Sequence, residues 1–130
     1  TYGEDFLART GANGEGAFAT IAPIPAESPE KAAFDARYLE KYGKKAGTLS
    51  PYTWNGYDST AALISAVKSV AVLGDNGNLY VPRGALVAAV RNLKDYKGIG
   101  GTYTCDSTGE CNTLPPMFVV VKDGAWVPAP

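Results

Sequence analysis

The most informative stretch of this chain is YTWNGYD at residues 52–58, which runs directly into the segment 59–73. Apolar side chains recur along that segment every three or four positions, at Ala62, Leu63, Ala66, Val67, Val70 and Leu73. This spacing places them on one face of an α-helix, and the small residues among them permit close approach to a sheet. We therefore predict a long helix over 59–73, with Asp58 as its N-terminal cap.

A second helix is predicted over residues 29–42, because its start and its end both carry strong signals. Ser28 is a suitable N-cap, and Pro29 follows at the first helical position, where no amide partner is needed. Gly43 permits the left-handed conformation that ends many helices. Three aromatic residues recur on one face and are predicted to point into the core, namely Phe34, Tyr38 and Tyr42.

The remaining segments alternate between helical and strand patterns. We predict helices at 4–10 and 82–93, strands at 16–22, 102–105 and 117–122, and turns at 74–78 and 123–124. Such a mixture of strands and crossover-length helices predicts an α/β fold with a substantially parallel sheet.

Cys105 and Cys111 are the only cysteines, and they flank the short segment 106–110. Gly109 permits the positive φ of a tight turn, so the two thiols can lie opposite each other on adjacent strand ends. We expect a disulfide, which would stabilise the turn by about 2 kcal/mol and place the protein outside the cytosol. Two free thiols in a cytosolic protein are the alternative; a zinc site is disfavoured because the chain has no histidine.

Composition argues against several functional classes. The formal net charge is −1 over 130 residues, which provides no electrostatic footprint for nucleic acid or anionic lipid. No apolar run approaches the roughly 20 residues that span a bilayer. The chain begins at Thr1 without a charged and apolar leader, so we expect any signal peptide to have been removed or to lie upstream.

Catalytic machinery is not recognisable in the sequence. The lack of histidine rules out Ser–His and Cys–His pairs, and there is no Gly-x-Ser-x-Gly turn. The glycine-rich stretch from Gly98 has Tyr103 where the last glycine of a nucleotide-binding motif belongs. We therefore predict a binding protein rather than an enzyme, with no catalytic residue, no cofactor and no metal site.

Several short motifs occur in the order and spacing of one protein family. Besides residues 52–58, they are a strand beginning with Glu15-Gly16, the Phe-x-x-x-Tyr-x-x-x-Tyr spacing of 34–42, the glycine-rich stretch 98–103, the Asp-x-x-Gly turn at 106–110, and the Gly-x-Trp ending at 124–126. Together they resemble the C-terminal portion of the branched-chain amino-acid-binding proteins of ABC importers, over nearly the whole chain.

This resemblance implies a partial α/β fold like that of the type I periplasmic binding proteins, contributing three-layer α/β/α elements to two lobes. Residues 1–47 and 113–130 are expected in the second lobe, 52–96 in the first, and 48–51 and 97–112 in the connections. Helices of such a fragment would expose apolar faces. We therefore expect the rest of the protein, or swapped elements of a second copy, to cover them.

The function that the resemblance implies is that of an extracytoplasmic ligand-binding component of an ABC importer for branched-chain amino acids or similar small polar solutes. Its partners would be the ligand, an ABC permease and the remaining N-terminal portion of the protein. The expected location is periplasmic or extracellular, with lipid anchoring to the membrane surface as one option. The alternatives are a ligand-sensing domain of the same fold in a receptor or regulator, and a secreted structural domain.

Three residues are candidates for ligand binding. Trp54 is expected just before a helix at the lobe junction, where the family places an aromatic beside the ligand. Tyr57 could direct its hydroxyl into the cleft, although a ring packed beneath the helix start is an equally good interpretation. Glu4 lies near the region that, in the family, carries an acidic residue for the ligand ammonium group.

Overall fold

The computed structural model describes residues 2–112 and 115–129, and the chain divides into two compact units. The first unit comprises Thr1–Trp54 and Leu114–Pro130, and the second comprises Asn55–Thr113. The predicted lobe boundary at 113 lies outside the described residues.

The described chain forms both helices and strands. In order they are α1 (Glu4–Thr10), a short 3₁₀ helix (Gly11–Gly14), β1 (Phe18–Ile21), α2 (Pro29–Tyr42), α3 (Thr53–Val70), β2 (Val72–Leu73), β3 (Leu79–Tyr80), α4 (Arg83–Arg91), β4 (Tyr96–Lys97), β5 (Thr102–Cys105), β6 (Cys111–Asn112), β7 (Met117–Lys122) and β8 (Ala125–Pro128). None of the helices in the described residues combines the length and apolarity needed to cross a membrane.

The first unit contains a three-stranded antiparallel sheet with the strand order β1-β7-β8. Asp123 and Gly124 join β7 to β8 with φ values of 52° and 74°, as in the tight turns that connect neighbouring antiparallel strands. The expected parallel sheet is wrong for the described strands, whose pairings are all antiparallel. A parallel pair needs a long crossover, and the strands that pair here include several joined by short hairpins.

The two faces of this sheet differ in exposure. Val119 and Val121 share one face with Ile21, and they are 4%, 1% and 3% exposed. Phe18 and Phe118 point to the opposite face and are 70% and 60% exposed. Side chains alternate between the two faces along each strand, so the strand register places one set of apolar residues in the core. The other set forms an apolar face that the described residues do not cover.

Helix α2 begins and ends where the sequence predicts. Ser28 Oγ accepts a hydrogen bond of 3.1 Å from the amide of Lys31, and Pro29 opens the helix. Gly43 ends it in the left-handed conformation with φ 67°. Both boundaries are set by local chemistry, which explains why they are readable from sequence.

The aromatic face of α2 is only partly buried. Phe34 belongs to the core, whereas Tyr42 is 55% exposed. The prediction of Tyr42 as a core residue is therefore wrong. It is the last residue of the helix, and its ring contacts Tyr38 with a centroid distance of 4.7 Å at the surface.

Helices α3 and α4 differ from their predicted limits. Helix α3 begins at Thr53, ahead of the predicted start, and it ends at Val70 because Leu73 pairs with Leu79 in the β2–β3 hairpin. Helix α4 occupies Arg83–Arg91, with Pro82 as its N-cap residue. The turn at 74–78 and the strand at 102–105 are confirmed.

Strand β5 pairs with β4 on one side and with β6 on the other. Cys105 and Cys111 lie opposite each other in the β5–β6 pair and form a disulfide, which confirms the prediction. Within the turn, Asp106 Oδ1 accepts hydrogen bonds from the hydroxyl and amide of Thr108 and from the amide of Glu110. These bonds, the Thr108 hydroxyl first, lower the pKa of Asp106.

Candidate functional site

Trp54, the leading candidate for ligand binding, is the second residue of α3 and is only 5% exposed. Its indole Nε1 donates a hydrogen bond of 2.8 Å to Asp35 Oδ1 on α2. The ammonium of Lys31 lies 5.3 Å from the centroid of the indole ring, within the range of a cation–π contact. We refer to Lys31, Asp35 and Trp54 together as the Trp54 cluster.

Lys31 is the buried charge of this cluster, with 6% of the residue exposed. Its ammonium contacts Asp35 Oδ2 and Glu27 Oε1, each at 2.8 Å. Hydrogen bonds to Asp35 and then to Glu27 raise the pKa of Lys31, although burial opposes the rise. Two carboxylates thus compensate the cost of burying the ammonium group.

Gly47 lies close to the indole ring of Trp54. It adopts φ 84°, and a Cβ at this position would lie 2.7 Å from Trp54 Cη2. The glycine is therefore required both by its backbone conformation and by the close approach of the ring. Its amide also donates a 3.3 Å hydrogen bond to Thr53 Oγ1 at the start of α3.

Asp58 is not the N-cap of α3, so that prediction is wrong. The helix begins at Thr53, and Asp58 lies inside it with 2% exposure. Its Oδ1 accepts a 2.8 Å hydrogen bond from the amide of Ile99, and its Oδ2 accepts bonds of 2.6 Å from the amide of Gly100 and 2.8 Å from the hydroxyl of Tyr103. We refer to these four residues as the Asp58 anchor.

The glycine-rich loop is shaped around this carboxylate. A Cβ at Gly98 would collide with Asp58 Oδ2, and one at Gly100 would lie 2.6 Å from Tyr103 Oη and 3.0 Å from Asp58 Oδ2. Burial, and next the hydrogen bond to Asp58, raise the pKa of Tyr103 far above its usual range. Tyr103 therefore stays protonated as the donor to the carboxylate.

Sequence reasoning missed the Asp58 anchor, although a signal was present. Gly98 and Gly100 are separated by one residue and precede the strand with Tyr103, a pattern that indicates close approach of another group to the backbone. The acidic partner lies far away in sequence. The glycines therefore predict that another group packs closely against the loop, but they do not identify the residue.

Tyr57 and Glu4 have more accessible positions than Trp54. Tyr57 is 44% exposed, so its ring is not fully packed beneath the start of α3. Glu4 is exposed in the first turn of α1, where a carboxylate favours the helix dipole. Trp54 and Tyr57 share one helix but belong to different units.

A groove of about 260 Å³ lies within the second unit beside the Asp58 anchor. Its walls come from α3, α4, the segment just after α4 and the β5–β6 hairpin, and they are formed by Asp58, Ser59, Ala62, Leu63, Val90, Leu93, Tyr103 and Cys111. Most of this surface is apolar, and the buried polar oxygens along it already have partners. Within residues 2–112 and 115–129, no group of three acidic or cysteine side chains is arranged to hold a metal ion.

Comparison with solved structures shows the same fold in larger proteins. The leucine-binding protein LivK of Thermotoga maritima matches 97% of this chain with a TM-score of 0.71 at 23% identity. An ABC transporter substrate-binding protein of Desulfitobacterium hafniense, in complex with Leu, matches 98% with a TM-score of 0.64 at 20% identity. A periplasmic binding protein type 1 of Bordetella pertussis matches 98% with a TM-score of 0.61 at 21% identity.

The chain spans only about a third of each of these proteins, namely 33%, 34% and 36% of their lengths. The resemblance to a part of such a protein and the expected partial type I fold are thereby confirmed. No curated protein matches the chain.

The sequence model of the periplasmic binding protein family matches residues 1–125. This family consists of extracytoplasmic solute-binding proteins, so the predictions that the chain is not an enzyme and works outside the cytoplasm are confirmed. Both the fold and the family match thus lead to one conclusion, that this chain belongs to the periplasmic binding protein family.

Proposed function

We propose that this chain forms the C-terminal part of the ligand-binding component of an ABC importer for branched-chain amino acids or similar small polar solutes. The main support is the family match over residues 1–125, joined to a TM-score of 0.71 with a leucine-binding protein over 97% of the chain. A fold shared at this level fixes the scaffold, whereas the ligand depends on individual side chains.

In this proposal the first unit belongs to the second lobe of the binding protein and the second unit to the first lobe. Residues 48–51 and 97–112 form parts of the connections. The lobes close around the ligand, and the closed form is the one that the ABC permease recognises. A lipid anchor outside the described residues would hold the protein near its permease.

The remainder of the protein is proposed to cover the open apolar surfaces of the two units. In the first unit these surfaces include Phe18 and Phe118, and in the second they include Leu63 and Ile64, which are 49% and 50% exposed. Exposed apolar area on this scale favours association. A second copy that exchanges elements is the alternative occupant.

The proposed ligand contacts are Trp54, Tyr57 and Glu4. Tyr57 offers an accessible ring, and Glu4 offers a carboxylate for the ligand ammonium group. Trp54 would contribute through the small part of its ring that remains exposed, because its N–H is engaged by Asp35.

Calorimetric titration of the full-length natural protein with leucine, isoleucine, valine, short amides and aromatic acids tests this function. We expect saturable binding of at least one branched-chain amino acid, accompanied by a more compact form in solution scattering. Absence of both heat and compaction with every ligand would contradict the proposal.

Single substitutions then test the ligand contacts. Tyr57→Ala is expected to weaken binding about tenfold or more, as the loss of a ring that contacts the ligand would. Tyr80→Ala is the matched control, because Tyr80 is 53% exposed in the same unit and lies in the β2–β3 hairpin. Equal effects of the two substitutions would remove Tyr57 from the proposed site.

A further inference from the structure

The Asp58 anchor contains a buried carboxylate that forms no ion pair with any of the described residues. The ion pairs among the described residues all involve Lys31, and the three donors to Asp58 are two amides and a phenol. Burying a carboxylate is costly, and apolar residues of similar size are often as stabilising as a buried charged group. A contribution to overall stability therefore does not fully explain why a carboxylate is buried here with both of its oxygens accepting hydrogen bonds.

What the anchor does fix is orientation. Three hydrogen bonds to two oxygens leave the Asp58 side chain one position, and the loop glycines cannot accept a side chain without displacing it. Asp58 is a residue of α3, so fixing its side chain also fixes how that part of the helix is rotated about the helix axis. Neighbouring side chains leave a helix about 100° apart, so the direction of the Tyr57 ring is set at the same time.

We infer that Asp58 is a positioning residue for ligand binding, which holds the Tyr57 ring in a productive direction by docking α3 onto the loop 98–103. This inference rests on the proposed function, since it assigns a role to Tyr57 at the ligand. It assigns no ligand contact to Asp58 itself, whose oxygens are occupied by the loop.

The most conservative substitution in the Asp58 anchor is Tyr103→Phe. It removes one hydrogen bond to Asp58 and keeps the ring, while the amides of Ile99 and Gly100 still hold the carboxylate. Tyr96→Phe is the matched control, because Tyr96 pairs with Tyr103 across adjacent strands and its hydroxyl is not one of the three donors to Asp58.

The deciding experiment is a double-mutant cycle in the full-length natural protein, with L-leucine titrated at a temperature where every variant is folded. Tyr103→Phe should weaken L-leucine binding about three- to tenfold in the natural background and have no effect in the Tyr57→Ala background. Tyr96→Phe should leave affinity unchanged in both. An equal effect of Tyr103→Phe in both backgrounds, or no effect in the natural background, would overturn the inference.

Hydrogen exchange keeps the outcome independent of the ligand. In the ligand-free protein, Tyr103→Phe should speed amide exchange in both 55–60 and 98–103, whereas Tyr96→Phe should not. If L-leucine does not bind at all, the proposed function fails for that ligand. The exchange data then still test whether Asp58 docks α3 onto the loop 98–103. Unchanged exchange in 55–60 would overturn it.

Discussion

The Trp54 cluster and the Asp58 anchor are two buried polar arrangements on the same helix, and they are built in opposite ways. In the Trp54 cluster, Lys31 and Asp35 of α2 neutralise each other, and the indole of Trp54 donates a hydrogen bond to the Asp35 carboxylate. In the Asp58 anchor, a lone carboxylate is held chiefly by backbone amides of a glycine loop. Side chains can find new partners after a mutation, but amides fixed in a loop cannot. The anchor should therefore be the less tolerant of the two.

The largest effect is expected from Asp58→Ala. It removes the acceptor of the buried Gly100 amide, the part-buried Ile99 amide and the Tyr103 hydroxyl, so the free energy of unfolding should fall by about 3–5 kcal/mol. Urea unfolding measures this change. Ser59→Ala, at the exposed next residue, should change stability by less than about 0.5 kcal/mol. A loss below about 1 kcal/mol for Asp58→Ala would reverse the ranking of the two arrangements.

A smaller loss, about 2 kcal/mol, is expected for Trp54→Phe. The substitution removes the N–H that bonds to Asp35 and part of a buried ring, but Lys31 still neutralises the carboxylate. Trp126→Phe is the control, because its ring is only half-buried and its N–H bond to the Gly3 carbonyl is 3.4 Å long. Equal destabilisation by Trp126→Phe and Trp54→Phe would show that the Trp54 cluster contributes no more to the free energy of unfolding than an ordinary half-buried tryptophan does.

Alkaline pH should weaken both arrangements, and a substitution at Tyr103 should separate their contributions. The raised pKa of Tyr103 means that the folded protein favours the neutral phenol, so its stabilisation is complete below about pH 10 and is lost as pH rises above that value. The raised pKa of Lys31 has the same sign and is lost in a similar range. Tyr103→Phe should therefore make the decline in unfolding free energy between pH 9 and 11 shallower, to about the level left by Lys31 and by Tyr96, whose pKa burial also raises. An unchanged slope would show that Tyr103 is not protected by the anchor.

The smallest effect is expected at Gly56, between Trp54 and Asp58 on α3. A Cβ at Gly56 would meet open space, so Gly56→Ala should raise the free energy of unfolding by about 0.5–1 kcal/mol. Gly84→Ala in α4 is a matched control, since that position is also helical and open, and a similar gain is expected. A loss at Gly56 beside a gain at Gly84 would show that the stretch between the two arrangements needs glycine for another reason.

Much of the fold could be read from the sequence where local chemistry decides. The cap at Ser28, the stop at Gly43 and the Cys105–Cys111 disulfide are each set within a few residues, and all three are confirmed. The order of short motifs also identified the protein family, because these motifs are distributed along nearly the whole chain. The antiparallel pairing of β1 with β7 was missed, since it joins segments far apart in sequence.

The candidate site was less predictable than the fold. Trp54 was expected to line an open cleft, and it is found mostly buried against α2, so its contact with a ligand stays a proposal. Asp58 was expected to cap a helix, yet its partners lie in the loop 98–103. In both cases the residue type indicated that a polar partner was needed, and nothing local indicated which one.

By itself, the sequence determined the ends of α2, the hairpin disulfide and the membership of the chain in a solute-binding family. Those outcomes depend on neighbouring residues or on the order of motifs, which the one-dimensional chain preserves. Only the tertiary structure decided that Trp54 bonds to a residue 19 positions away and that Asp58 binds donors 41 to 45 positions away. A buried donor or acceptor must find a partner wherever packing supplies one, and packing is a property of the folded chain.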